Sequence, residues 1–252
     1  MFARQSGVTE PSAIENPQGL NGHWLWLGLG VRHAWFGRQT VPDDRLAWLL
    51  EWTGLRGSAD LQDATGSRIN DASIKAWMVE GGLRYDWYLP AHVALGTHYL
   101  YGSGGVGDHS SNNFVQTGLQ SNLQSFWGNR QSLFQFNDVL HADPSNLTRW
   151  GLFAVWDPHP DLETGLMWSW MYRNDTAVPV YADGAPLSMV ADGSKSVGQG
   201  LDVVGAWYFH SVLDWQTEGR LRLRGSAFET GSAFVQAHEW EHRVALDLLI
   251  GF

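Results

Sequence analysis

The chain has no cysteine, few charged residues and no long apolar run. Without cysteine it can form neither a disulfide framework nor a thiolate metal site. Charged residues make up 17% of the chain and leave a formal net charge of -10, which argues against nucleic acid as a partner. No run of ~18 apolar residues is present, so a transmembrane helix is excluded. The stretch 1–19 lacks the basic start and apolar segment of a signal peptide, so we expect that a signal has been removed or that the chain begins part-way into a longer protein.

Aromatic residues are abundant in this weakly charged chain. It contains 15 Trp, 7 Tyr and 11 Phe, and tryptophan and tyrosine concentrate at membrane interfaces, where an amphipathic ring suits the headgroup layer. The mean hydropathy of -0.24 is typical of soluble proteins. This average does not detect membrane barrels, however, because half of each barrel strand is polar. The length of 252 residues favours a single domain that covers residues 1–252.

The last part of the chain, residues 217–252, predicts a pair of antiparallel membrane strands. In its first half Arg220, Arg222 and Arg224 alternate with leucines, so a period of two places the three guanidinium groups on one face. In its second half apolar residues occupy every second position up to Phe252. Apolar-out, polar-in alternation over ~10 residues is typical of outer-membrane barrels. The pattern therefore predicts an all-β fold, an antiparallel transmembrane up-and-down β-barrel or the carboxyl-terminal part of one.

Period-two alternation also predicts seven earlier strands, at 23–36, 45–55, 75–87, 92–102, 147–156, 162–173 and 198–210, with residues 1–5 interpreted as the stub of another. The chain is thus expected to contribute about nine or ten strands. Alternate connections are longer, namely 57–72, 103–145, 174–196 and 229–237, than the intervening ones at 37–43, 88–91, 157–161 and 211–216. Short periplasmic turns and longer extracellular loops are typical of bacterial barrels. We expect the longest connection to fold into the lumen, since loops of its length are commonly functional.

The string from His238 to His242 matches the zinc-protease motif H-E-x-x-H, but its setting argues against a metal site. That motif needs a helix to bring both histidines onto one face. Here the string runs into a period-two strand, which would separate the two histidines by about 13 Å. We therefore expect no metal, and no paired carboxylates or nucleophile–base set stands out that would predict an enzyme or a cofactor.

Arginines on the predicted inner faces of the last two strands form a basic patch, made of Arg220, Arg222, Arg224 and Arg243. One interpretation is structural, because salt bridges with acidic residues on inner faces would fill and stiffen a barrel. The candidate partners are Glu80, Glu163, Asp202 and Asp247, and Arg84 and Arg173 alternate onto the same polar faces. The other interpretation is functional, because guanidinium groups bind carboxylates in a planar fork and would guide an anionic solute. The alternation of residues along the strands is compatible with both the structural and the functional interpretation.

Five short motifs follow one another along the chain. They are NFVQTGLQSN at 113–122, SNL at 145–147, GQGLD at 198–202, RLRG at 222–225, and a terminal set of His242, Arg243, Asp247 and Phe252. In this order and spacing they resemble the carboxyl-terminal half of the alginate export porin family of bacterial outer membranes. The similarity extends back through YGSGG at 101–105 and GGLRYDW at 81–87 to about Trp24, and so covers most of the chain.

The resemblance implies a monomeric barrel of roughly 16–18 strands, with an electropositive constriction through which alginate leaves the cell. It also implies that Arg222, Arg224, Arg243 and Asp247 line the pore. By the same resemblance Arg130 is a basic residue of the long loop.

Some features depart from the family pattern. Positions that are basic in the family are occupied here by Gln135, His141 and Gly251. The strand number is also low, and ~8 strands leave an interior that side chains just fill, so nine or ten would close only a narrow barrel. Alternatively the chain is part of a larger barrel and its open edges need partners, because exposed strand edges are not tolerated in lipid. The sequence leaves both alternatives open.

The function expected from these features is passive export of an anionic exopolysaccharide, such as alginate, through an outer-membrane porin. Its partners would be the polysaccharide, outer-membrane lipid and periplasmic secretion components. One alternative is a soluble β-sandwich that binds carbohydrate on exposed tryptophans, which explains the aromatic content but not the apolar last strand. Another is an outer-membrane lipase or protease, for which no convergent nucleophile and base are found.

Overall fold

The computed structural model is built around one large antiparallel sheet, and in the part of the chain that it describes the regular structure is all β. It describes residues 2–6, 22–35, 45–62, 68–88, 91–107, 110–114, 123–124, 133–134, 136–182, 185–190, 193–210 and 218–251. Within these ranges, no helix has the length and hydrophobicity needed to cross a bilayer. The predicted all-β fold is confirmed.

Ten long strands form the main path of the sheet, and two short strands, Val106–Gly107 and Ser110–Ser111, complete its twelve. The long strands are β1 (Phe2–Ser6), β2 (Gly22–Trp35), β3 (Arg45–Gln62), β4 (Arg68–Tyr88), β5 (His92–Gly102), β6 (Leu147–His159), β7 (Leu162–Arg173), β8 (Ser196–His210), β9 (Glu218–Thr230) and β10 (Trp240–Gly251). Each strand pairs antiparallel with the next in chain order, which is the up-and-down topology that the sequence predicts. The interpretation of residues 1–5 as a strand is also confirmed, because β1 pairs with β2 along its whole length.

The ten strands belong to a single sheet and not to two facing sheets, so the β-sandwich alternative is wrong. Among the described residues no hydrogen-bonded pairing joins β1 to β10, and these two strands are therefore the edges of the sheet. In a bilayer such edges must be satisfied, either by pairing with each other or by pairing with further strands.

Two strands are longer than the alternation predicted. β3 has 18 residues and β4 has 21, and they pair as far as Gln62 and Arg68 with one bulge between Ala59 and Leu61. The prediction of a loop over residues 57–72 is therefore wrong. Serine, aspartate and glycine are depleted in strands, but this local preference is weak and backbone pairing with a facing strand outweighs it.

The sheet has two ends that differ in their connections. We call the end that carries connections 103–146 and 174–195 the long-loop end, and the end that carries 89–91 and 160–161 the short-turn end. The connection between β3 and β4, residues 63–67, is also at the long-loop end. At this end, β3 and β4 continue as paired strands over most of the stretch that was predicted to be a loop.

The outer face of the sheet is apolar and the inner face is mixed. On β4, Trp77 and Leu83 are exposed, whereas Glu80, Arg84 and Asp86 are buried on the opposite face. The same alternation continues in β7, where exposed leucines and tryptophans alternate with buried residues. Exposed apolar surface on this scale marks contact with lipid or a partner, and here it matches the predicted lipid-facing side.

Aromatic side chains on the outer face form two bands. The band nearer the long-loop end contains Trp77 and Tyr172, and the band nearer the short-turn end contains Trp87, Trp156 and Trp207. The strand pairing places Tyr99, Trp150 and Trp168 between the two bands. Trp77 and Trp87 are ten residues apart on β4, which is ~33 Å along the strand and about 25 Å along the membrane normal at a tilt of ~40°. This separation matches an apolar band flanked by two aromatic girdles, as in outer-membrane barrels.

Apolar residues fill the inner side near the long-loop end. One buried cluster includes Trp26 of β2 and Phe228 of β9 together with Phe114, Phe136 and Val180 from the connections. Because residues from distant strands meet in one cluster, the sheet curls around these connecting segments. Phe114 and Phe136, which belong to the long connection, therefore lie on the inner side of the sheet.

Near the short-turn end, charged hydrogen bonds link three strands. The ring of His92 on β5 lies between Asp86 on β4 and Asp157 on β6, and each nitrogen-to-carboxylate distance is 2.8 Å. Arg84 also donates to Asp86 from Nη2 at 2.7 Å. Asp86 is fully buried, so these donors offset the cost of removing its charge from water.

We expect His92→Ala to lower the free energy of unfolding by about 1–3 kcal/mol, because Asp86 and Asp157 each lose a buried hydrogen-bonding partner. Urea-induced unfolding of the protein folded in detergent, followed by tryptophan fluorescence, measures this change. His159→Ala is the matched control, since that side chain is 66% exposed and its pairing with Asp161 contributes little. Equal losses from both substitutions would contradict the role given to the His92 linkage.

Candidate functional site

β9 and β10 bring the basic patch predicted from the sequence onto the inner face. Arg222 is directly opposite Asp247 in the pairing of these strands. Arg220 and Arg224 flank Arg222 on the same face of β9, and Arg243 shares the face of Asp247 on β10, because alternate strand residues point the same way. The period of two therefore assembles a row of four arginines from two neighbouring strands.

One carboxylate is shared by two of these arginines. Arg222 donates from Nε to Asp247 Oδ2 at 2.9 Å, and Arg224 donates from Nε to the same oxygen at 3.0 Å. The Asp247 side chain remains 36% exposed and both arginine side chains are 15% exposed, so the group is accessible to solvent. The salt bridging that the structural interpretation predicted is therefore present, and the guidance of an anionic solute stays a prediction.

A second carboxylate, which sequence reasoning missed, reaches the same row from the long connection. Asp138 Oδ2 lies 3.4 Å from Arg224 Nη1, and Asp138 Oδ1 lies 3.5 Å from Arg243 Nη1. Arg243 also donates to the backbone oxygen of Asp138 at 3.1 Å and lies 3.0 Å from His141 Nε2. The turn 137–141 thereby covers the long-loop side of the arginine row. Among the described residues, the row thus holds four arginines and the two aspartates that pair with three of them.

Asn137 attaches this turn to the wall of the sheet. Its Nδ2 donates to Ser226 Oγ at 2.9 Å and to Asp202 Oδ1 at 3.1 Å, and the backbone nitrogen of Asp138 donates to the same Asp202 oxygen at 2.9 Å. Asn137 has a φ of 63°, a left-handed conformation that asparagine tolerates better than most residues. Gly200 makes room for it, because a Cβ at that position would lie 2.7 Å from Asn137 Nδ2.

Asp202, which the sequence placed among the candidate pore-lining residues, is therefore the buried anchor of the turn. It is 3% exposed and also accepts a hydrogen bond from Ser226 Oγ. The GQGLD motif and the long connection meet at this point. No signal in the sequence links Asn137 to Asp202, because the two residues belong to separate segments that only the curled sheet brings together.

Two other arginines named from the sequence lie away from the row. Arg173 is buried and donates from Nε to the backbone oxygen of Ser194 at 2.5 Å and from Nη2 to that of Val190 at 2.6 Å, so it holds the connection that follows β7. Arg84 is buried against Asp86 at the short-turn end.

The remaining candidate residues are dispersed. Glu163 is buried near the short-turn end and lies 3.4 Å from the hydroxyl of Tyr208, which donates to it. Glu80 accepts a hydrogen bond from His98 Nε2 at 3.2 Å, and the other ring nitrogen of His98 contacts the buried Arg149. Arg130 lies outside the described residues. Sequence reasoning missed Arg149, although the alternation within Leu147–His159 places it on the inner face.

The string from His238 to His242 does not form the helix that a zinc protease needs. His238 precedes β10 with a φ of 63°, and His242 lies within β10. In the described part of the chain, no three His, Asp or Glu side chains come together in a way that could hold a metal ion.

Comparisons with known proteins agree on one family. The family model described as Alginate export matches residues 6–244. The chain is 30% identical over 250 residues to alginate production protein AlgE of Azotobacter vinelandii, covering 92% of this chain and 51% of that protein. It is 29% identical over 247 residues to the protein of that name from Pseudomonas aeruginosa, covering 92% and 49%. The chain therefore spans about half the length of the curated relatives it matches.

We expect Asn137→Ala to release the turn 137–141 from the sheet, because the substitution removes the hydrogen bonds to Ser226 and Asp202 and leaves the backbone nitrogens of Val139 and Leu140 without their side-chain acceptor. The cost is about 1–3 kcal/mol, and the turn should be cleaved faster in limited proteolysis followed by mass spectrometry. Asn112→Ala is the matched control, since Asn112 is exposed and is held through its backbone. Cleavage of the turn at the wild-type rate would show that Asn137 does not anchor it.

Proposed function

This chain belongs to the alginate export family, and we propose that it lines an outer-membrane channel through which an anionic exopolysaccharide such as alginate leaves the cell by diffusion. The family model covers residues 6–244, so the resemblance inferred from the short motifs is confirmed. The predicted location in the bacterial outer membrane is confirmed as well, by family membership together with an all-β sheet.

The observation that supports this proposal most directly is the arginine row beside Asp247. Guanidinium groups bind carboxylates through parallel hydrogen bonds, and a polyuronate presents carboxylates along its length. Conduction also requires release, and a site that binds too tightly would trap its solute. We infer that Asp247 supplies this balance, because it already neutralises part of the charge of Arg222 and Arg224.

We infer a further role for Asp138. Its carboxylate lies against Arg224 and Arg243, where a carboxylate of the solute would bind. The solute therefore competes with a group of the protein itself, which raises the selectivity of the site for chains that present several carboxylates. Export of this kind needs no covalent chemistry and no cofactor. Periplasmic secretion components would deliver the polymer at the short-turn end.

Replacing Arg222 and Arg224 together by glutamate should reverse the preference of the channel for anions, because two positive charges beside Asp247 become negative. Reversal potentials in planar bilayers under a salt gradient measure this preference. Asp247→Asn should shift the reversal potential in the opposite direction, since it removes the carboxylate that the two arginines share. If the reversal potential shifts in the same direction in both variants, the cause is a structural disturbance, and the proposed role of the arginine row is wrong.

Asp138→Asn should strengthen the binding of short oligouronates by roughly tenfold, because it removes the carboxylate that competes with the solute for Arg224 and Arg243. A tenfold change corresponds to the loss of about one charge-assisted contact between Asp138 and these arginines. The measurement is the concentration of oligouronate that half-blocks the current. Asp161→Asn is the control, since Asp161 lies in the turn between β6 and β7 at the opposite end of the sheet. Unchanged block by oligouronate in the Asp138 variant would contradict competition.

A further inference from the structure

Two cations face each other on the outer, lipid-facing side of the sheet. Arg56 on β3 is directly opposite Lys75 on β4 in the strand pairing, and both side chains are exposed. Residues directly opposite in an antiparallel pair have Cβ atoms about 5 Å apart, and like charges in such positions are destabilising. Across the described ranges neither side chain forms an ion pair. An anion from outside the chain would turn this repulsion into attraction.

The pair lies at the level of lipid headgroups. Lys75 is two residues beyond Trp77 toward the long-loop end, which is about 5 Å along the membrane normal. On β3 the ring of Trp52 covers Gly54, where a Cβ would lie 2.6 Å from Trp52 Cη2, so an indole fills the space just below Arg56. Aromatic rings at the interface with cations immediately outside them are the arrangement expected where a protein meets lipid headgroups.

Hydroxyl groups extend the polar patch. Ser58 and Ser73 are directly opposite each other in the next pair of positions on the same face. Two cations and two hydroxyl donors on one face suit an anion with several oxygen acceptors, such as a phosphate.

An apolar groove lies below the patch on the same outer face. Gly81 leaves a gap on β4, and the groove has a volume of about 410 Å³ and is bordered by Trp48, Leu50, Leu83, Tyr99 and Trp150. Gly81 is six residues from Lys75, which is ~20 Å along the strand and about 15 Å along the membrane normal. That depth is half of a hydrocarbon core of ~30 Å. An acyl chain attached to a headgroup at Arg56 and Lys75 would therefore end in the groove.

We propose that this outer face binds a phosphorylated glycolipid of the outer leaflet, with a phosphate between Arg56 and Lys75 and an acyl chain in the groove over Gly81. The long-loop end faces outward in outer-membrane barrels, which places the patch in the outer leaflet. Charge complementarity selects a phosphate, and the groove selects a lipid over a free anion. The site is separate from the arginine row, which lies on the other face of the sheet.

The test compares binding of a phosphorylated glycolipid with binding of its dephosphorylated form to the detergent-folded protein, measured by native mass spectrometry. The wild-type protein should prefer the phosphorylated form by about thirtyfold, the effect expected of two cations near an anionic lipid surface. Arg56→Gln combined with Lys75→Gln should remove this preference. Lys195→Gln is the control, since this exposed lysine lies in the connection after β7.

The groove is tested separately by Gly81→Val. A Cβ at Gly81 would lie 3.7 Å from both the Leu49 oxygen and Leu50 Cδ1, so a side chain fits there without a backbone clash. This variant should weaken both forms of the glycolipid by a similar factor and keep the preference for phosphate. A heat-dependent shift in gel mobility verifies that each variant is folded.

Three results would overturn the proposal. The double substitution could leave the preference for phosphate intact, phosphatidylglycerol could bind as tightly as the phosphorylated glycolipid, or inorganic phosphate could displace the lipid at equal concentration. Displacement by inorganic phosphate would identify a site for a free anion. Equal binding of phosphatidylglycerol would identify a surface without preference for glycolipid.

Discussion

Inside a lipid bilayer every backbone donor and acceptor must be bonded within the protein, and the rest of this structure depends on that constraint. An antiparallel meander satisfies it strand by strand, and its period of two sends successive side chains to opposite faces. The apolar outer face, the two aromatic bands and the inner row of arginines are consequences of this one geometry. β1 and β10, which are not paired with each other in the described residues, are the places where the constraint remains to be met.

The inner face shows how position decides what a carboxylate does. Asp202 is buried and its hydrogen bonds hold a turn, whereas Asp86 is buried and joins three strands through His92. Asp247 and Asp138 instead adjoin the arginine row. Buried acids that accept several hydrogen bonds stabilise the wall, because removing the partner of a buried charge is costly. Acids beside accessible arginines adjust the charge that a passing solute meets.

Basic residues have different surroundings on the two faces of the sheet. On the inner face the arginines share carboxylates and remain in contact with water, so their attraction for an anion is moderated. On the outer face Arg56 and Lys75 have no acidic neighbour in the strand pairing and lie beside a region of low polarity, where a charge has a stronger effect. The inner face of β9 and β10 thus carries a site suited to transient passage, and the outer face of β3 and β4 carries one suited to a resident lipid.

The family motifs and the period-two pattern were enough to predict the all-β meander, its bounds at 92–102 and 162–173, and the grouping of Arg222, Arg224 and Asp247. These follow from spacing along one or two adjacent strands. The extent of β3 and β4 was not predictable, because pairing between backbones overrode a composition typical of loops.

The sequence by itself determined which face each strand residue occupies, since alternation is a local property of an extended chain. Only the tertiary structure decided that Asp138 reaches Arg224 and Arg243, that Asn137 is anchored on Asp202, and that Arg56 stands opposite Lys75. The first two contacts join residues far apart in sequence, and the third depends on the register of two long strands. Such contacts are set by the curvature and pairing of the whole sheet, which no local pattern encodes.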